Sequence, residues 1–134
     1  MFMKELACRL ENGADLKDSI ENFCLENGAD TAVLLSSVGF LYQARIRLAG
    51  GVSFLEEIKD FEILSLNGTI SHGHAHLHIA LADDTGKVIG GHLAKGCRIN
   101  TTCELVIGVL ENYRSTRSFD EKTGYDEIIF EEVR

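Results

Sequence analysis

Apolar residues recur at helical spacing from Leu16 onward, where Leu16, Ile20, Phe23 and Cys24 share one face of LKDSIENFCLENG. Asp15 stands where an N-cap belongs and Asn27-Gly28 where a C-cap belongs, so this stretch is expected to be a helix. The period then changes. TAVLLSSVGFLYQARIRL is β-branched and alternating, and predicts two strands joined near Ser36–Gly39. FEILSLNGTI predicts another strand, with Asn67-Gly68 as a bend or bulge. In SHGHAHLHIAL, Ala75, Leu77, Ile79 and Leu81 point to one face and His74, His76 and His78 to the other. DDTG interrupts the alternation and KVIGGHL resumes it. CRINTTCELVIGVL reads as a longer element whose second half suits strand or helix, and GYDEIIFEEV as a strand. The pattern predicts an α+β fold, a largely antiparallel mixed sheet packed with one or two helices.

Length adds that this is one domain, spanning residues 1–134, able to fold without disulfide or metal staples. There is no proline, and no Gly/Ser-rich or Pro-rich run that would read as a linker. A net charge of −8 argues against binding phosphate backbones by charge, since Arg45/Arg47 and Arg114/Arg117 are only small pairs. MFMKELACRLENGADL lacks the apolar segment of a signal peptide, and no run approaches the ~20 apolar residues of a membrane span. A cytoplasmic location is the expectation, with reduced thiols. Cys8, Cys24, Cys97 and Cys103 show no C-x-x-C spacing and read as small buried hydrophobes.

The chemistry gathers in the histidines. Four of the five stand at alternate positions from His72 to His78, and the fifth is His92. On a strand, residues two apart project from one face with backbones about 6.6–7 Å apart, so two imidazoles can lean onto one zinc at ~2.0–2.1 Å. The turn decides whether His92 joins them. A three-residue loop, Asp84-Thr85-Gly86 with Gly86 left-handed, pairs Asp83 with Lys87 and sets His78 opposite His92. A two-residue loop would send His92 to the other face, and a bulge at Gly90-Gly91 would also spoil the count. Three neutral imidazoles suit zinc, nickel, copper or iron. The fourth position is open to water, for hydrolytic or hydration chemistry, or to a ligand from elsewhere, such as a neighbouring chain. The competing reading is a row of solvent-facing histidines on a half-buried strand. His72 and His74 extend the row toward solvent and are not expected to be ligands. Glu62, Asp83, Asp84 and Glu104 are candidate general bases, none singled out by spacing, and Ser65 and Thr101 lack nucleophile context. The DTG tripeptide reads as turn chemistry rather than as half of an aspartic protease.

RLENGADL, FEILSLNGTI, HLHIALADDTGKVIGGHL, TTCELVI and TGYDEI, in that order, resemble the plants-and-prokaryotes-conserved (PPC) domain family. The resemblance runs from Arg9 to the C-terminus, and Asn12-Gly13-Ala14-Asp15 departs from the family's Gly-Glu-Asp opening. It implies a compact α/β domain, a homotrimer, and metal, usually taken to be zinc, on His76, His78 and His92. The family's DNA-binding label comes from plant relatives that add an AT-hook, an Arg-Gly-Arg-Pro element that this proline-free chain lacks. Three functions follow: a metal-binding oligomer, with metal-assisted hydrolysis or hydration of a small molecule if it is an enzyme; a DNA-binding regulator; or a non-catalytic assembly module.

Overall fold

The helix forms where cap and apolar stripe coincide. In the computed structural model, which describes residues 3–133, α1 spans Leu16–Glu26. The Asp15 carboxylate accepts the Asp18 N–H at 3.0 Å, and Leu16, Ile20 and Cys24 are buried beneath it. The other carboxylate oxygen accepts the Gly96 N–H at 2.7 Å, which ties the helix start to the loop after the histidine hairpin.

The strands are β1 (Lys4–Glu11), β2 (Thr31–Arg47), β3 (Phe54–Glu57), β4 (Phe61–Ser71), β5 (His74–Ala82), β6 (Val88–Leu93), β7 (Arg98–Val109), β8 (Tyr113–Asp120) and β9 (Tyr125–Glu132). Seven form one sheet in the order β1-β7-β2-β4-β5-β6, with β3 on β2; β8 and β9 form a separate hairpin. Every pairing among the described residues is antiparallel. The sheet also curls back on itself. β6 returns to the far end of β2, where Ile46 faces Leu93 and Arg47 faces His92. Leu41, Ile46, Ile70, Leu77, Leu81, Leu93, Ile99 and Ile107 fill the interior with α1. Each such side chain contributes roughly 1.5–3 kcal/mol by leaving water. No helix among the described residues is long and apolar enough to cross a membrane.

Two expectations change and one left open is resolved. TAVLLSSVGFLYQARIR is a single strand rather than two, and the irregularity at Ser36–Gly39 is taken up by register shifts against β7. Gly39 is there for close approach: a Cβ would lie 2.7 Å from the Cys103 Cα. Asn67-Gly68 neither ends nor bulges its strand; the β4–β5 register shift falls between Ile63 and Ser65. Gly68 instead has φ 141 and leaves room for the His76 carbonyl opposite it. The second half of CRINTTCELVIGVL is strand throughout.

Candidate metal centre

The β5–β6 hairpin has the predicted register. Gly86 is left-handed at φ 85, the Asp83 N–H donates to the Lys87 carbonyl at 2.9 Å, and His78 lies opposite His92. No bulge intervenes at Gly90-Gly91, which pair in step with Ala80 and Ile79. Leu77 and Ile79 hold β5 against the core, so His76 and His78 must face outward. The triad's donor atoms all lie within 4.8 Å of one another, and the ring centroids are 5.4 Å (His76–His78), 5.2 Å (His76–His92) and 5.9 Å (His78–His92) apart. A cation bound at ~2.0–2.1 Å would draw these three nitrogens closer together than they stand here. The donor set fits a borderline-soft divalent metal with coordination positions left open toward the cleft.

Burial favours the neutral imidazole, the form a metal needs, at His76 and His92. It pushes the His92 pKa down to about 4, helped by the neighbouring Arg47 charge. His76 is lowered by burial first, then by the charges of His78 and Arg117. His74, at the start of β5, is also lowered by burial and then by Arg117. It lines the cleft but stands outside the triad.

His72 leaves the row altogether. His72 (φ 48) and Gly73 (φ 77) form the tight turn between Ser71 and His74, so His72 is not on the strand. Its Nε2 donates to the Ser115 carbonyl at 2.8 Å and helps hold the β8–β9 hairpin. Ser115 is wholly buried, and its hydroxyl lies 2.8 Å from both the Thr31 and the Ser71 hydroxyls.

The triad opens into a cleft of about 910 Å³, whose other wall is the β8–β9 hairpin. Arg117, Tyr125, Asp126 and Glu127 line that wall, and Arg47 and Ser65 line the main-sheet side. None of the candidate bases reaches the cleft. Glu62, Asp83 and Asp84 border a smaller depression beyond the hairpin turn, with Thr101, and Glu104 is exposed on β7 opposite Arg9 and Val38. Asp126 and Glu127 are the carboxylates at the site. Their sequence signal, the alternating tail GYDEIIFEEV, marks a strand without saying what it faces.

A family model described as the Plants and Prokaryotes Conserved (PCC) domain matches residues 1–111. The TGYDEI resemblance therefore lies beyond that match, as does the whole β8–β9 hairpin. The bifunctional protein GlmU of Synechococcus sp. (strain JA-3-3Ab) is 41% identical over 93% of the chain, which spans about 20% of that relative's length. A solved hypothetical protein from Salmonella enterica is 33% identical with TM-score 0.93, covering 98% of this chain and 95% of that one. A solved protein from Archaeoglobus fulgidus, described as metal-containing, is 30% identical with TM-score 0.77 over 94% and 93% of the two chains.

Proposed function

Since this chain belongs to the Plants and Prokaryotes Conserved domain family, we propose that it is a metal-binding domain that holds zinc on His76, His78 and His92 and works as a cytoplasmic homotrimer. The carrying observation is the convergence of three imidazoles from two paired strands on one wall of an open cleft. The Archaeoglobus fulgidus relative supports the reading through its description as metal-containing. Bound zinc would act as a Lewis acid at its open position, and hydrolysis or hydration of a small molecule is the reaction class that suits such a site. Four cysteines left unbridged accord with a reducing compartment.

Self-association is supported by apolar side chains that the single chain leaves in water. Leu35 (50%), Val38 (55%) and Phe40 (43%) along β2 and Leu64 (51%) on β4 are exposed on the main sheet. Sedimentation analysis should give three times the chain mass; a monomer would remove the trimer from this reading. Direct DNA binding has the charge against it, at −8 overall.

Elemental mass spectrometry of untagged protein tests the metal. One zinc per chain is expected in the wild type and a loss in each of His76→Ala, His78→Ala and His92→Ala. A wild type that stays metal-free after zinc addition and desalting would refute the site, and the assembly-module reading would take its place.

A further inference from the structure

Arg117 carries an unusual deficit. Its Nη1 donates to the Asp126 carbonyl at 3.3 Å, while Nε and Nη2 are buried without a hydrogen-bond partner. Those two N–H groups form the side edge of the guanidinium, the edge that matches two oxygens of one carboxylate or phosphate. Buried polar atoms in folded proteins are almost always satisfied, and a charged donor left without a partner is destabilising. The edge belongs to a residue lining the cleft of the histidine triad. Across that cleft stands Arg47, paired through its backbone with His92 and in no ion pair among the described residues.

We infer that this cleft receives a small oxyanion, a carboxylate or phosphate group of a small molecule, clamped edge-on by Arg117 once that edge, closed to solvent in the single chain, turns into the cleft, with Arg47 attracting it from the opposite wall. The inference deepens the metal reading and rests on it in one respect, the charge balance. Arg47 and Arg117 are offset by Asp126 and Glu127 among the ionised lining residues. A divalent ion on the triad leaves the cleft with an excess of positive charge, although the chain as a whole is acidic. A small anion can enter that local field, whereas a polyanion would meet the negative surface around it. The ligand's oxyanion is thereby oriented beside the open metal position, where a second donor atom of the same molecule can coordinate.

The test is calorimetric titration of zinc-loaded and metal-free protein with inorganic phosphate and, separately, with succinate. The arginine Nε–H signals are followed by NMR, and metal content is measured on the same samples. Saturable binding in the zinc-loaded wild type is expected, with the Arg117 Nε–H signal moving on saturation. Arg117→Gln should weaken binding at least about tenfold without loss of zinc. Arg117→Lys keeps the charge but not the fork, and should also weaken it, which guards against a misfolded glutamine variant. Arg114→Gln on the same hairpin should bind as the wild type does. Response to phosphate alone or to succinate alone names the group. No saturable binding by zinc-loaded wild type, or equal binding by both Arg117 variants, overturns the clamp while leaving the metal site standing. If the wild type takes no zinc, the metal reading fails separately. The metal-free titration then decides: Arg117-dependent binding supports the clamp and none overturns it.

Discussion

Asp83 and Lys87 are tied twice across the β5–β6 turn. The Asp83 N–H donates to the Lys87 carbonyl at 2.9 Å, and the Lys87 N–H donates to the Asp83 carboxylate at 3.0 Å. The Thr85 N–H and hydroxyl reach the same carboxylate oxygen at 2.9 and 2.7 Å. This clasp sets the register that brings His92 opposite His78.

The Thr85 hydroxyl, then Lys59, holds the Asp83 carboxyl well below the usual carboxylate range. A depressed folded-state pKa gives stability that is complete above about pH 4 and lost as pH falls toward the depressed value. Melting temperature followed from about pH 5 to pH 2 should therefore fall more steeply in the wild type than in Asp83→Asn. Parallel curves would show that the clasp contributes nothing through its charge.

Zinc added to metal-free protein should stabilise it by ~2.7 kcal/mol at a free concentration one hundred times the dissociation constant. A chelator should reverse the gain. His92→Ala should show no gain, because two ligands on one strand leave the metal without the residue that crosses the hairpin. Thermal melts with and without zinc check both statements.

Asp15 serves two elements at once. Asp15→Ala would release the Asp18 N–H at the helix start and the Gly96 N–H in the loop that follows β6. A destabilisation of about 2 kcal/mol is expected in urea, above the typical ~1 kcal/mol of a lost cap. A loss no greater than the cap alone would mean that the Gly96 contact adds nothing.

Ser115→Ala should loosen the β8–β9 hairpin selectively. It leaves the Thr31 and Ser71 hydroxyls without their shared partner in a buried site, at a cost of about 1–3 kcal/mol. Amide exchange across Tyr113–Glu132 should accelerate while metal content is unchanged. Unchanged exchange would refute the idea that these hydroxyls anchor the hairpin.

The triad was legible because turn chemistry is local: one glycine at the third loop position fixes which residues face each other. α1 was legible for the same reason, with its cap and stripe inside one short window. β8 was not, because the residues it turns inward are Ser115 and Arg117, which carry no hydrophobic alternation. His72 looked like one more strand residue because its left-handed φ belongs to the turn, and only Gly73 hints at it. The far wall of the cleft depends on how a separate sheet docks through hydroxyls, a long-range relationship that periodicity does not encode.

That docking separates two tasks along the chain. The histidines lie on strands matched by the family model, and Arg117 lies on a hairpin beyond it. The hairpin is tied to the sheet through hydroxyl, carbonyl and imidazole contacts around Ser115. Its cleft-facing side chains can therefore be exchanged without disturbing the strands that carry the triad. Specificity on such a scaffold can diverge by rewriting one terminal hairpin, and grafting that hairpin between relatives should transfer ligand preference while the histidine triad stays constant.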